Sequence, residues 1–255
     1  MSDGPWVAHR PAAAGGGGPT VVFVHGAMDR SASFAKVTRR LPDLPVVRYD
    51  RRGYGRSAHL APAADADAEV ADLLALVGDG AVVVGHSVGA LVALAAASTS
   101  DRVLAVLALE PPMPWRSSSG ASGPPRAAPT ADPGDVAEAF LRRMIGDVAW
   151  SRLPERTRAD RRAEGPALVA DLTRYVGGRP YRPEVLAGRL VVGVGGRTDA
   201  RHREDVQALL AEVPGAPEAV IEGATHGMHR SHPEATAAVV RRTVERAAGV
   251  ATLRP

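Results

Sequence analysis

A serine lies between a predicted strand and a predicted helix in the segment Ala81–Leu94, AVVVGHSVGALVAL. The continuous β-branched run of Ala81–Val84 is typical of a buried strand, and the residues after Gly89 continue as a helix. Gly85 and Gly89 lie two positions to either side of Ser87, which lets the strand and the helix approach closely through a very sharp turn. Such a turn exposes the hydroxyl at the N-terminus of a helix, where free N–H groups favour bound negative charge. Ser87 is therefore a candidate nucleophile in a G-x-S-x-G elbow.

Three histidines near the end of the chain are candidates for a general base. His226, His229 and His232 follow a predicted strand that ends near Ile221. His226 comes a few residues beyond that strand, in a loop next to a glycine, which places it at the edge of the sheet where Ser87 is expected. His232 precedes a proline and is better placed to open the last helix. His226 is therefore the preferred base.

Strands and helices alternate along most of the chain, and this alternation predicts the fold class. Amphipathic spacing predicts a helix over Ala66–Val77, for example, and Trp6–Arg10 could add a short edge strand. The alternation of strands and helices indicates an α/β fold, with a mainly parallel sheet flanked by helices on both faces. The predicted buried strands are Thr20–Val24, Val46–Tyr49, Ala81–Val84, Val103–Leu109, Leu190–Val194 and Ala219–Ile221.

The alternation is interrupted between the fourth and fifth of these strands. Residues 111–134 are rich in Pro, Ser, Gly and Ala and predict a mobile loop, and two or three helices should follow it. Ligands of open α/β sheets bind at the carboxyl ends of the strands, so a helical block inserted there should form a lid. We expect an α/β core of residues 1–110 and 188–255 and a helical lid, or cap, of residues 111–187.

Five motifs, each after a predicted strand, resemble those of the α/β-hydrolase superfamily, in its compact and lidded serine-hydrolase form. The resemblance covers residues 20–248, and within the superfamily the chain is similar to esterases and lactonases. It implies a lid after the sixth strand of the family. The chain departs from the family at its N-terminus, where at most one of the two usual antiparallel strands has room. The motifs are His25-Gly26, Asp50-Arg51-Arg52-Gly53-Tyr54-Gly55-Arg56-Ser57, Gly85-His86-Ser87-Val88-Gly89, Gly196-Arg197-Thr198-Asp199 and Thr225-His226-Gly227.

The resemblance implies a catalytic triad in the chain order Ser87, Asp199, His226. Ser87 would attack a carbonyl carbon, and His226 would take its proton and later return it to the leaving group. Asp199 would fix the tautomer of the imidazole and stabilise its positive charge. The backbone N–H groups of Ala27 and Val88 would bind the oxyanion.

Glu110 is the alternative acid. Asp199 follows a strand through a Gly-rich turn that can swing a short carboxylate towards His226, and most of the family uses this position. Glu110 ends the strand Val103–Leu109, one strand nearer to Ser87, and some relatives place their acid there. Two prolines after Glu110 hold it stiffly, so lining the pocket or anchoring the lid is its other expected role. Asp199 is preferred.

Other polar residues near these motifs are given structural interpretations. Arg51 and Arg52 could bind an anionic substrate, but their turn is usually structural in the family, and a structural role is preferred. His25 and His86 are expected to be structural or to line the pocket. His202 lies among charged residues and is interpreted as a solvated helix start.

Composition excludes several classes of protein. The chain of 255 residues has no cysteine, which excludes disulfides, thiolate metal sites and a cysteine nucleophile. Its 31 Lys and Arg are scattered among 28 Asp and Glu, for a net charge of +3, so we expect no nucleic-acid partner. It has no apolar run of about 18 residues and no basic-then-apolar leader, so we expect a cytoplasmic protein without a membrane partner.

The expected function follows from the motifs and the resemblance. It is a serine hydrolase that cleaves a small, mainly apolar ester, thioester or lactone through an acyl-enzyme on Ser87. No metal-ligand cluster, phosphate loop or dinucleotide fingerprint is recognised, so we expect no metal and no cofactor. One alternative is cofactor-free non-hydrolytic chemistry on the same fold, such as C–C bond cleavage, perhydrolysis or cyclisation in a biosynthetic pathway. A ligand receptor on a hydrolase scaffold is the other.

Overall fold

Seven strands form one sheet in the computed structural model, which describes residues 4–116 and 132–251. The sheet order is β1-β3-β2-β4-β5-β6-β7, with β1 antiparallel to β3 and the other neighbouring pairs parallel. The expected α/β fold is confirmed, including the single antiparallel strand at the N-terminal edge. The strands are β1 (Val7–Arg10), β2 (Thr20–Val24), β3 (Val46–Tyr49), β4 (Ala81–His86), β5 (Val103–Leu109), β6 (Leu190–Gly195) and β7 (Glu218–Ile221).

Ten α-helices accompany the sheet within the described residues. α2 has the bounds that its apolar spacing predicts, whereas the short helices α5 and α9 were not expected, because four or five residues carry too little periodicity to recognise. None of the helices in the described chain is both long and apolar enough to cross a membrane. The helices are α1 (Ala35–Thr38), α2 (Ala66–Val77), α3 (Val88–Thr99), α4 (Pro133–Ile145), α5 (Asp147–Ser151), α6 (Glu155–Ala163), α7 (Gly165–Arg174), α8 (Ala200–Glu212), α9 (Met228–Ser231) and α10 (Pro233–Ala251).

Both faces of the sheet are buried, which explains the continuous apolar runs of its strands. Along β2, Val22 and Val24 pack into one hydrophobic cluster with α2, α3 and α8, while Val21 and Phe23 pack into another with α1 and α10. Successive side chains of a strand point to opposite faces, so a strand covered on both sides needs apolar residues at every position. This sandwich holds the carboxyl ends of β2, β4, β5 and β6 side by side.

Helices α4–α7 lie between β5 and β6 in the chain and pack against the loops that follow β2 and β3. A third hydrophobic cluster joins Met28 and Tyr54 of these loops to Leu141, Trp150 and Leu168 of the helices. The expected mobile loop of residues 111–134 falls largely on residues 117–131, which lie outside the described residues. The division into a core and a lid therefore stays a prediction.

A buried ionic network also ties α7 to the core, centred on the fully buried Arg51. Arg51 Nη2 donates to Glu69 Oε1 of α2 at 2.7 Å and to Asp171 Oδ1 of α7 at 2.6 Å. Tyr54 donates its hydroxyl proton to Asp171 Oδ2 at 2.8 Å. Burial alone would raise the pKa of Asp171, but the charge of Arg51 and its hydrogen bond hold that pKa below its ordinary value. Arg51 is structural, as its motif predicts.

Replacing Arg51 by methionine should lower the free energy of unfolding by about 3–5 kcal/mol, because it leaves two buried carboxylates, Glu69 and Asp171, with one arginine, Arg174, where they had two. Urea denaturation of the purified variant measures the loss. Arg52 offers a matched control, since it pairs with Asp72 near the surface and its side chain is 26% exposed. Arg52→Met should cost no more than about 1 kcal/mol. Equal losses in the two variants would contradict the importance of the buried network.

Candidate active site

Ser87 occupies the expected sharp turn between β4 and α3. Its backbone has φ 54° and ψ −127°, a conformation that L-residues adopt only at a cost of about 1–3 kcal/mol. Gly85 and Gly89 make the turn possible, because a Cβ on Gly85 would overlap the carbonyl oxygen of Gly89 and one on Gly89 would overlap that of Val24. The amide N–H of Ser87 donates to the carbonyl oxygen of Leu109 at 2.9 Å, which ties the turn to the end of β5.

The loop after β2 lies directly against this turn. A Cβ on Gly26 would come within 3.0 Å of Ser87 Cβ and 3.2 Å of the carbonyl oxygen of His86. Within the described chain, the backbone N–H groups of Ala27 and Val88 donate to no protein acceptor. Both groups are thus available to a ligand beside Ser87, and their role as an oxyanion hole remains a prediction.

His226 is hydrogen-bonded to Glu110. Its Nδ1 lies 2.7 Å from Glu110 Oε2, and the Glu110 side chain is fully buried while that of His226 is 18% exposed. A carboxylate can only accept, so Nδ1 carries the proton and the lone pair stays on Nε2, where a base needs it. The pair brings together the ends of β5 and β7, which are not neighbours in the sheet.

Two further donors hold the carboxylate of Glu110. Its Oε1 accepts from the backbone N–H of Gly195 at 2.8 Å, and its Oε2 accepts from Thr198 Oγ1 at 2.9 Å. Burial alone would raise the pKa of Glu110, but the hydrogen bonds from His226 and Gly195 hold that pKa below its ordinary value. The carboxylate is therefore charged at neutral pH and fixed in direction.

The preference for Asp199 as the partner of His226 is corrected by this geometry. Asp199 is the N-cap of α8, and its Oδ1 accepts from the backbone N–H of His202 at 2.9 Å. Its Oδ2 lies 2.9 Å from His202 Nδ1, and the side chain is 63% exposed. Because α8 begins immediately after Asp199, the carboxylate turns back to the first turn of that helix instead of reaching His226. Glu110, the alternative acid, holds the contact.

Backbone strain is concentrated at these residues. The non-glycine residues with positive φ in the described chain are Met28 at 52°, Ser87 at 54° and Glu110 at 44°. Met28 lies in the loop after β2, Ser87 in the turn between β4 and α3, and Glu110 carries the carboxylate that bonds to His226. Strained backbone that the surrounding structure maintains is characteristic of functional sites.

His202 and His86 also contact His226, and neither contact was expected. His202 lies in the first turn of α8, as expected of a helix start, but it is not solvated: its ring is only 17% exposed and stacks on His226 with ring centroids 4.0 Å apart. His86 donates from Nε2 to the carbonyl oxygen of His226 at 2.8 Å and so fixes the backbone of the base. The signal for His202 was its position three residues after an N-cap aspartate, which brings the two side chains together.

Within the described residues, two groups of side chains have ligand atoms close enough to hold a metal ion. They are Asp29, His86 and His229, and Glu110, His202 and His226, with the atoms of each group within 4.8 Å of one another. Two members of each group already share a hydrogen bond: His229 with Asp29, and His226 with Glu110. In each group, a hydrogen bond between histidine and carboxylate thus occupies atoms that a metal ion would need.

The buried histidines beside the site make stability depend on pH. Burial, followed by the nearby His229 and His226, holds the pKa of His86 well below its ordinary value, and burial likewise lowers the pKa of His25 and His229. Below pH 6.5 these histidines bind protons in the unfolded chain but stay neutral in the folded chain. The free energy of unfolding should therefore fall as the pH drops. The limiting slope is about 1.4 kcal/mol per pH unit for each histidine.

Urea denaturation at pH 7.5 and pH 5.5 measures this dependence. His86→Gln should make the slope shallower, whereas His59→Gln, which changes an exposed histidine, should leave it unchanged. A free energy of unfolding that does not fall between the two pH values would contradict the prediction.

Comparison with known proteins places the chain in a family. A model of the alpha/beta hydrolase family matches residues 21–239. Lipase LipV of Mycobacterium tuberculosis is 40% identical over 103 residues, which are 38% of this chain and only 39% of that lipase. An α/β hydrolase of Sphaerobacter thermophilus has a TM-score of 0.67 at 28% identity, covering 96% of this chain and 97% of that one. The enol-lactonase of Burkholderia xenovorans has a TM-score of 0.71 at 23% identity, covering 94% of this chain and 97% of its own.

The family match covers most of the chain and includes all five motifs that carry the resemblance. Both structural similarities cover nearly the whole of this chain and of the chain it is compared with. The similarity to the enol-lactonase concerns the fold alone. The chain belongs to the alpha/beta hydrolase family.

Proposed function

We propose that Ser87, His226 and Glu110 form the catalytic triad of a serine hydrolase that cleaves a small, mainly apolar ester, thioester or lactone. The observation that carries the proposal is the 2.7 Å hydrogen bond between buried Glu110 and His226. Two contacts connect this pair to the strained turn of Ser87: His86 donates to the carbonyl oxygen of His226, and the amide of Ser87 donates to the carbonyl oxygen of Leu109, the residue before Glu110. A serine hydroxyl is a weak nucleophile unless an adjacent base, itself oriented by a third group, activates it.

In the first half of the reaction, Ser87 Oγ attacks the carbonyl carbon of the substrate and His226 Nε2 takes the hydroxyl proton. The carbonyl π-bond becomes an oxyanion, which the N–H groups of Ala27 and Val88 stabilise. The tetrahedral intermediate then collapses, the bond to the leaving group breaks, and His226 gives its proton to the departing oxygen or sulfur. The product of this half is an acyl-enzyme on Ser87.

In the second half, water attacks the acyl carbon and His226 takes a proton from that water. Collapse of the second tetrahedral intermediate releases the acid and returns the proton to Ser87 Oγ. Glu110 keeps its charge throughout and stabilises the imidazolium that forms twice. All proton transfers in this scheme use side chains of this chain, so no cofactor takes part in it.

The substrate class is supported by the surroundings of the site and by the relatives. Met28 lies in the loop beside Ser87 and belongs to the apolar cluster with Leu141 and Trp150, which puts hydrophobic side chains on this side of the site. Proteins named as a lipase, an enol-lactonase and an esterase are among those similar to this chain. Small molecules with an apolar acyl group fit both observations.

A panel of p-nitrophenyl esters, acyl thioesters and lactones of increasing chain length tests the proposal. We expect turnover of short-chain members and its loss in His226→Gln. The matched control is His232→Gln, since His232 lies six residues further on and contacts Ser231 instead of Glu110. No turnover of any member above the buffer rate, or equal activity of the two histidine variants, would overturn it.

A further inference from the structure

The hydrogen-bonded pair of Asp199 and His202 takes no part in the proposed reaction, although His202 touches the base, His226. His202 of α8 stacks on His226, with ring centroids 4.0 Å apart and an angle of 22° between the planes. The contact covers one face of the His226 ring. Glu110 acts on the edge of the same ring, at Nδ1.

The His202 ring is itself held in place by Asp199. Both oxygens of that carboxylate are used, one by the backbone N–H of His202 and the other by its Nδ1, each at 2.9 Å. The two contacts fix His202 to the first turn of α8 at both its backbone and its ring. Because the carboxylate accepts, Nδ1 of His202 carries a proton. Burial and the neighbouring His226 lower the pKa of His202, which favours a neutral ring at pH 7.

The hydrogen bonds to Glu110 and His86 do not by themselves fix the tilt of the His226 ring. His86 fixes the backbone carbonyl of His226, and Glu110 accepts from Nδ1. A hydrogen bond tolerates tens of degrees of misalignment, so the tilt depends on the rings that touch the imidazole. The His86 ring meets it at an angle of 43°, with centroids 4.5 Å apart, whereas the His202 ring lies nearly parallel to it. In the proposed triad, rocking of the imidazole would move Nε2, at the opposite end of the ring, out of line with the hydroxyl of Ser87. A flat group against the face of the ring restricts this motion.

We propose that His202, oriented by Asp199, is a positioning residue that keeps the imidazole of His226 aligned for proton transfer with Ser87. The inference rests on the proposed triad. A neutral aromatic face also favours a cation placed against it, so the same stack stabilises the imidazolium of His226. Asp199 thus serves the base indirectly, through His202, instead of binding it.

Four variants test this role by kcat and KM on a p-nitrophenyl ester. His202→Ala removes the stack and should lower kcat about tenfold, the effect of a barrier change of 1.4 kcal/mol, with KM within about twofold. His202→Phe restores a flat ring without a nitrogen and should recover most of kcat. Asp199→Asn keeps an oxygen for the backbone N–H of His202, and its NH2 can donate to Nδ1 of the other His202 tautomer, so this variant should stay within about threefold of the wild type, whereas Asp199→Ala should resemble His202→Ala. Melting temperatures show whether each variant is folded.

NMR of ¹⁵N-histidine-labelled protein adds a readout that does not depend on turnover. Ring protons of His226 should shift in His202→Ala and stay near their wild-type positions in His202→Phe, because a stacked ring produces a ring-current shift. Such shifts in a protein without any ester turnover would mean that the proposed function fails while the contact itself exists.

Two results would overturn the positioning role. One is wild-type kcat in His202→Ala. The other is a folded His202→Phe as slow as His202→Ala, since that would show that a ring nitrogen of His202, and not its face, takes part in the reaction.

Discussion

Replacing Glu110 by glutamine is expected to lower kcat by about 10⁴-fold, with KM nearly unchanged. Glutamine has the same shape, but it carries no charge to stabilise the imidazolium of His226. Its amide can also donate to Nδ1, which moves the ring proton to Nε2 and leaves Ser87 without a base. Steady-state kinetics on a p-nitrophenyl ester measure the loss.

Asp199→Asn is the matched control for Glu110→Gln, because both changes turn a carboxylate of the site into its amide. Asp199 contacts His202 and not His226, so this variant should stay within about threefold of the wild type. A nearly inactive Asp199→Asn beside an active Glu110→Gln would mean that the acid is Asp199 after all.

Replacing Ser87 by alanine should lower kcat by about 10⁶-fold, to the rate that the remaining site supports without a nucleophile. Binding of the substrate should persist, because the hydroxyl contributes little contact area. The melting temperature should also change little, since alanine accepts the strained backbone of the turn about as well as serine does. A control is Ser231→Ala, which removes an exposed hydroxyl that bonds to Gly227 and His232 in the described chain and should keep full activity. Residual turnover of more than a few per cent in Ser87→Ala would contradict the role of Ser87.

The fold and the sharp turn at Ser87 could be predicted because their signals are local in the chain. Strands buried on both faces must be apolar at every position, so Val103–Leu109 is recognisable without its neighbours. The turn at Ser87 needs glycine at two fixed positions, and no distant contact is required to recognise that spacing. The position of His226 follows from the end of β7, another local signal.

The acid could not be decided in the same way, because the choice depends on distances across the sheet. Asp199 and Glu110 both follow strands that end at the correct edge. What separates them is the start of α8, which uses Asp199 as its N-cap, and the positive φ of Glu110, which turns its side chain towards the interior. The pattern Asp199-x-x-His202 contains the first of these signals, since an N-cap carboxylate bonds to residues two or three positions later. The second is visible only in the folded backbone.

The most direct test of the central claim, that Ser87 is activated by His226 and Glu110, is the rate at which a fluorophosphonate reacts with the protein. Such a reagent attaches to the activated serine in one step, so the rate does not depend on the identity of the natural substrate. Intact-mass measurement over time, followed by peptide mapping, identifies the site. The account predicts one adduct, on Ser87, formed far more slowly in Glu110→Gln and at nearly the wild-type rate in Asp199→Asn. An adduct on another residue, or a Glu110→Gln variant that reacts as fast as the wild type, would contradict it.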